Sequence, residues 1–341
     1  MKLRVPSFYS DFHCIASACH DTCCAGWEVD VDVDSQARYA KVSGTFGEEL
    51  RSKIVDGHFV LTANERCPFL NAQNLCEIYC HLGEKALCDI CREHPRFVDV
   101  FGDVVEQGVG LCCEEAVRLL LNANAPLSFI EKEIEADEEF LDAESLDARN
   151  SMFEIRTEIF TRLADRNRSL SKRLADILQF TASFSAEEKV CPAADLRSIW
   201  KHQTAVLLQG ESLGAEWDFA KSQIAQALEE RGFGKGSIPW TESESEKIVA
   251  YQIFRYFAKS LYDGDMLSKV KFAVYFFLVL QNFGGELSSV QKEPSLQICA
   301  VKLLSKQLEY SDENMDALAD AFFSNSYFST GAFLRLLDEN A

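Results

Sequence analysis

Eleven of the chain's 13 cysteines fall between positions 14 and 113: Cys14, Cys19, Cys23, Cys24, Cys67, Cys76, Cys80, Cys88, Cys91, Cys112 and Cys113. Only Cys191 and Cys299 lie beyond them. Crowding of this kind has three chemical readings: disulfides, structural zinc, or an iron–sulfur centre. Thiolates are soft ligands, and four of them hold either tetrahedral zinc or an iron–sulfur cube. Zinc ribbons show paired CxxC knuckles, but Cys88-Asp-Ile-Cys91 has the two-residue gap without a twin. The contiguous CxxxCxxC of a radical S-adenosylmethionine enzyme is also absent, because Gly26 and Gly83 stand where Cys19-x3-Cys23 and Cys76-x3-Cys80 would need a third cysteine. The dispersed spacing instead fits one or two centres whose ligands come from several loops. Any one of Cys80, Cys112, Cys191 and Cys299 reads equally well as a small buried hydrophobe.

Several short elements must carry these thiols. Trp27, Val29, Val31 and Val33 alternate with Glu28, Asp30, Asp32 and Asp34, a period of two that predicts a half-buried strand. Asp34-Ser35 then reads as the cap of a helix reaching about Ser43. Residues 58–61 suit a second short strand. Pro68 and the polar run Asn71–Asn74 keep the next stretch irregular. Helical turns are expected over Glu77–Leu82 and Glu84–Cys91, the latter stopped by Pro95. Residues 97–106 read as a hairpin turning at Gly102-Asp103, and 114–122 as a helix. Beyond that point apolar residues recur at three- and four-residue spacing in segments near 127–141, 150–165, 168–180, 194–209, 215–231, 244–262, 266–282, 294–309, 312–324 and 328–338. Breaks are expected at Gly210, at 232–236 and at Gly284-Gly285. The interval 131–147 holds nine acids against Lys132 and reads as a solvated helical linker face. The fold class expected is mostly α, with a small cysteine-rich, irregular α+β head over 1–125 and an all-helical body over 126–341.

A formal charge of −20 argues against a sequence-independent grip on nucleic acid, which needs clustered Lys and Arg. The longest apolar run, Phe272 to Leu280, is nine residues, short of the roughly 20 that cross a bilayer. It reads as a buried core helix, and no membrane association is expected. The first residues lack the continuous apolar stretch of a secretory signal. A cytoplasmic, reducing location follows as the expectation, and there clustered cysteines are metal ligands more often than disulfides.

The blocks Cys14-x4-Cys19-x3-Cys23-Cys24-x-Gly26-Trp27, Cys67-Pro-Phe-Leu, Leu75-Cys76-x-Ile78-Tyr79, Leu82-Gly83-Glu84, Leu87-Cys88-x2-Cys91-Arg92-x2-Pro95-Arg96 and Cys113-Glu114-Glu115-Ala116 resemble the bacterial flagellin lysine-N-methylase family. That family falls within the wider CxxCxxCC group of zinc- or iron-chelating proteins. The resemblance covers residues 8 to about 120; the helical body shares only its length and character. It implies methyl transfer from S-adenosylmethionine to lysine side chains of flagellin, with a 4Fe-4S cluster on the thiolates and zinc as the alternative metal. It implies ligands drawn from Cys14, Cys19, Cys23, Cys24, Cys67, Cys76, Cys88, Cys91 and Cys113, with Cys80 and Cys112 beside the pattern.

Methylating an amine needs lysine without its proton, and free lysine titrates near 10.4. A base or a desolvating pocket must therefore act, with nitrogen, methyl and sulfur in line. Tyr79 and Glu114 are the candidate catalytic residues, with Glu28, Glu93 and Glu115 also in or beside the motif blocks. Arg92, Arg96, His81 and His94 could balance thiolate charge or orient ligands. Trp27 reads as core rather than as a platform for adenine. The run Gly232-x-Gly-x-Gly236 follows a helix, not a strand, so it fails as a nucleotide loop and reads as a turn. Two other functions remain open on the residues alone: a non-enzymatic zinc- or iron-chelating interaction module, and a cluster-dependent redox protein.

Overall fold

The computed structural model describes residues 1–62, 65–136, 140–185, 189–230, 233, 236–283 and 295–339. The protein is mostly α-helical, with a small irregular α+β region at its start. The glycine breaks expected at 232, 284 and 285 lie outside the described residues.

The chain opens with strand β1, Lys2–Pro6, which enters a four-stranded sheet with β4 (Arg96–Phe101), β5 (Val104–Val109) and β6 (Phe129–Glu133) in the order β4-β5-β1-β6. The hairpin β4-β5 turns at Gly102, whose φ of +67° suits glycine. β1 runs parallel to β5 and antiparallel to β6. Strand β6 corrects the helix expected over 127–141 and, with it, the helical reading of the acidic linker. Arg4 on β1 supplies the reason: it reaches Glu131 on β6 at 2.7 Å and Glu106 on β5 at 2.9 Å. The expected boundary near 125 thus lies just before a strand that pairs with the first strand of the chain.

Between β1 and β4 lie α1 (Val33–Ala40), α2 (Gly44–Ser52), the ribbon β2 (Ile54–Val55) and β3 (His58–Phe59), α3 (Glu77–Leu82) and α4 (Asp89–Glu93). The alternating stretch before α1 is extended rather than a full strand, and one bridge joins Asp30 to His58. Val29 and Val31 are buried as the alternation predicts. Val33 is 80 % exposed, because it already opens α1. The cap is Asp32, not Asp34: its carboxylate accepts Ser35 N–H at 2.7 Å. The same carboxylate accepts Asp89 N–H at 2.9 Å, so one aspartate fixes the starts of both α1 and α4. Burial by itself would raise this carboxyl, but the donors from Asp89 and Ser35 hold it down at about 2.

α5 (Glu114–Asn122) leads into the body: α6 (Ala143–Leu163), α7 (Leu170–Ala182), α8 (Leu196–Gln209), α9 (Ala215–Glu230), α10 (Glu242–Tyr256), α11 (Ser260–Asp263), α12 (Met266–Asn282), α13 (Leu296–Glu309), α14 (Asp312–Ser324) and α15 (Thr330–Glu339). α12 contains the apolar run and is buried on all sides, as its composition requires. A single apolar core runs from Phe8 and Phe12 through α5 to Leu337. Two polar ties fix the sheet to this core. Tyr251 on α10 accepts Val109 N–H at 2.8 Å and donates to Val109 O. Arg156 on α6 forks onto the buried Glu106 carboxylate, which Arg4 also holds.

Candidate metal centre

All 13 cysteines are free thiols. Local turns bring ten of the eleven near the start into two adjoining groups. Gly26, with φ +85°, turns the chain after Cys24, and a bridge Ala25–Arg66 sets the Cys67 loop beside it. Cys67 N–H donates to Cys24 O at 2.8 Å. Asn71 then closes the loop: its Oδ1 accepts Gln73 and Leu75 N–H, each at 3.0 Å, and a bridge Leu70–Cys76 returns the chain. Cys76 caps α3 and Cys88 caps α4. Cys67 and Cys88 are buried in the head's own apolar cluster, with Cys24, Cys76, Cys91 and Trp27 packed against it.

The electrostatics follow these neighbours. Burial pushes Cys67 up to about 12, and charge on Cys24, Cys76 or Cys88 would raise it further. Burial raises Cys76, which also lies within the field of Cys24 and Cys80. The hydrogen bond between Cys88 and Cys91 lowers Cys88 and raises Cys91, whose thiol also feels Cys24 and Cys67. The first group is therefore Cys24, Cys67, Cys76, Cys88 and Cys91, with the exposed Cys80 at its margin.

The second group is Cys14, Cys19, Cys23 and Cys113. Burial pushes Cys19 up to about 12, with Glu114 and Cys113 adding to the rise. Burial raises Cys113, and Cys14 adds to it. The adjacent pair Cys23-Cys24 joins the two groups. Their hydrogen bond, with burial and the charges of Cys24, Cys14 and Cys113, holds Cys23 protonated. The same bond draws Cys24 down to about 7, aided by Thr22 and Arg66.

The donor set fits a thiolate-bound metal. Ala16 N–H donates to Cys14 Sγ at 3.4 Å, and backbone N–H groups two or three residues on act to lower the thiols of Cys19, Cys67, Cys76, Cys88 and Cys113. Such donors stabilise an anionic sulfur and have little to offer a neutral thiol. Sulfurs about 2.3 Å from a tetrahedral zinc lie about 3.8 Å apart. Among the described residues, however, no three cysteine sulfurs lie within 4.8 Å of one another. A cube, with one thiolate at each of four iron corners, asks for a wider ring.

The other candidates separate. Glu114, buried at the first turn of α5, accepts His20 N–H at 3.0 Å and Cys19 Sγ–H at 3.8 Å through Oε2, and its Oε1 faces His20 Nδ1 at 2.8 Å. It pins the Cys19-His20 loop to the helix. Tyr79 is 52 % exposed on α3. Glu115 holds Arg118, and Glu93 holds Arg92 at the surface. Glu28 joins Asp30 around His58 Nδ1, at 3.1 and 2.6 Å. His81 stacks on Phe46, and Arg96 lies over the Phe12 ring. Trp27 donates its indole N–H to Cys23 O at 2.7 Å and packs against His94, which meets Tyr310 edge-on at 5.8 Å. Burial, with Arg255 and Lys306 nearby, lowers His94 to about 4.

Cys112 turns away to the body, hydrogen-bonded to Tyr310, and burial pushes it up to about 12. Cys191 packs beside Gly331 on α15. Cys299 on α13 lies within the field of Lys302 and Glu114, beside the second group. Sequence reasoning left out Lys302 and Lys306 and gave Cys299 no site role, because helical spacing puts them on one face without saying what that face meets.

Residues 13–107 match the CxxCxxCC family model, described as "Putative zinc- or iron-chelating domain". Over 143 residues the chain is 29% identical to lysine-N-methylases of Salmonella choleraesuis strain SC-B67 and Salmonella typhimurium strain LT2. Those alignments take in 38% of this chain, which spans about a third (35%) of the length of either relative. A flagellar biosynthetic protein FliU of Salmonella muenchen is 29% identical over 137 residues, 37% of this chain and 81% of that protein. No solved structure matches the chain. Among the described residues, no helix is long and apolar enough to cross a membrane.

Proposed function

We propose that the protein transfers methyl groups from S-adenosylmethionine to lysine side chains of a protein substrate, flagellin, and that head thiols hold a 4Fe-4S cluster. The observation that carries this reading is the gathering of Cys14, Cys19, Cys23, Cys24, Cys67, Cys76, Cys88, Cys91 and Cys113 into two adjoining groups served by backbone N–H donors. The names of the Salmonella relatives support lysine methylation and a link to the flagellum. A cluster, when bound, supplies a Lewis-acidic iron face, an electron reservoir and folding free energy.

The chain's own residues do the rest. The head, 1–125, positions the thiols, and the body, 126–341, buttresses them through α13. Glu114 acts as a positioning residue, since both its oxygens are engaged by the Cys19-His20 loop. Tyr79 carries its ring to the surface, where a substrate lysine can reach it. The incoming ammonium, ordinarily near 10.4, must lose its proton before attack, which calls for a base or for exclusion of water as substrate docks. The location we assign is cytoplasmic, where flagellin is met before export and thiols stay reduced.

The test uses anaerobically purified protein, assayed for iron and sulfide and for methyl-lysine formed from labelled S-adenosylmethionine and flagellin. Cluster-loaded protein that binds the cofactor yet leaves every flagellin lysine unmodified sinks the enzyme reading. The family description favours a second reading, a zinc- or iron-chelating module without catalysis. Metal uptake without any binding of S-adenosylmethionine selects that one.

A further inference from the structure

α13 presents Cys299, Lys302 and Lys306 at spacings of three and four residues, on the face that meets Glu114 and Asp21, the acids beside the second thiol group. Lys302 is committed: its Nζ pairs with Asp21 at 3.0 Å, and Asp21 lies in the loop between Cys19 and Cys23. Lys306 is not. It is half-buried, and its Nζ lies 4.0 Å from the point where a Cβ on Gly26 would project. Its charge acts on Asp21 and on His94, yet it makes no ion pair among the described residues. The acid that its charge reaches, Asp21, is paired with Lys302, and Glu309, one turn on, is paired with Arg255 at 2.9 Å.

A cation drawn partly out of water with no ion pair of its own gains when a further anion arrives. What faces Lys306 is the loop that carries Cys19, Cys23 and Cys24. Those sulfurs become anionic together only when they ligate a metal. Four thiolates around a divalent zinc, or around a cube in its oxidised resting state, leave the centre doubly negative. We propose that Lys306 is the counter-charge of a metal–thiolate centre built on Cys14, Cys19, Cys23 and Cys113, supplied to the head by the helical body. The inference rests on the reading that the head holds a metal.

The geometry makes Lys306 a positioning and tuning residue rather than a ligand. Its charge favours the more negative, reduced form of a cluster and tightens the hold on zinc. The experiment compares full-length wild type, Lys306→Met, Lys306→Gln and Lys306→Arg, purified anaerobically and loaded with iron and sulfide. Iron per chain is counted and the reduction potential is followed by absorbance. In parallel, zinc affinity is measured by competition with a chelating dye.

Both neutral variants should fold and load. Their reduction equilibrium should shift about tenfold toward the oxidised form, which is about 59 mV to lower potential for one electron. Zinc should bind about tenfold more weakly, and Lys306→Arg should restore both values. Neutral variants that match wild type in potential and in zinc affinity overturn the proposal. So does an unchanged potential joined to weaker S-adenosylmethionine binding, which would assign Lys306 to the cofactor's carboxylate. A wild type that takes up neither iron nor zinc brings down the metal reading itself, whereas a loaded wild type with unmoved variants removes only the role of Lys306.

Discussion

In the body, α12 alone buries Phe272, Val274, Tyr275, Phe276, Phe277, Leu278 and Leu280, and the core around it reaches from Phe8 to Leu337. In the head, the cluster around Phe69 has nine buried residues, and two of them are Cys67 and Cys88. The helices differ in the same way: α3 and α4 have six and five residues, against 21 in α6. Burial at about 25 cal/mol per Å² of apolar surface can hold the body. The stretch 14–93 has less of it and leans on turns and shared caps and, in the function proposed, on metal-bound sulfur. A small region of this build gains folding free energy from cross-links or metal ligation. The contrast between the two regions is thus one of adhesive: apolar area in one, polar and thiol chemistry in the other.

The strongest way to break this comparison is to remove the metal. Structural thiolate sites contribute on the order of 10 kcal/mol to folding. Chelation of a loaded sample should strip hydrogen-exchange protection from residues 14–93 while the α7, α10 and α12 amides keep theirs. Equal loss in both regions would show that they fold as one unit and that the contrast is false.

Core truncations sharpen it next. Phe276→Ala should cost about 3–5 kcal/mol in urea unfolding, loaded or metal-free. Phe69→Ala should cost a similar amount only in loaded protein, because without the metal the head has already lost the packing that Phe69 completes. A Phe69→Ala penalty that is the same in both states would count against the role given to sulfur.

The seam between the regions has its own signature. His94 is held near 4, below its ordinary 6.5, so the fold favours the neutral ring. Its contribution is complete above pH 6.5 and lost as pH falls toward 4, a change of about 2–3 kcal/mol. Unfolding measured at pH 7, 5 and 4 should show this slope, and His94→Gln should flatten it. The smallest expected effect belongs to Asp32→Ala, about 1–2 kcal/mol, confined to the head. Because the Asp32 carboxyl is depressed to about 2, its stabilisation is present above about pH 4 and fades as pH falls through 2. A variant with the same acid profile as wild type would remove the double-cap assignment.

Local chemistry was legible wherever the answer lay within a few residues. Gly102-Asp103 marked the hairpin, 77–82 and 114–122 formed the helices expected, and the run at 272–280 became the buried helix. Misreadings came where a distant partner decided. Residues 129–133 carry a pattern that either period can claim, and β1, more than 120 residues earlier in the sequence, made them a strand. Asp34 reads as the cap from its neighbours, yet Asp32 takes that place and also holds Asp89 N–H of α4.

For this protein, then, the order of residues fixed which atoms are available: eleven soft sulfurs, an acidic surface and a set of amphipathic helices. It could not say how those sulfurs divide. Grouping them depends on loop closures such as Cys67 N–H to Cys24 O, and each closure joins positions whose separation in the sequence carries no periodic signal. Nor could it reveal that Lys306 faces Gly26, since a helix repeats every 3.6 residues regardless of what lies opposite. Only packing of α13 against the head decided that.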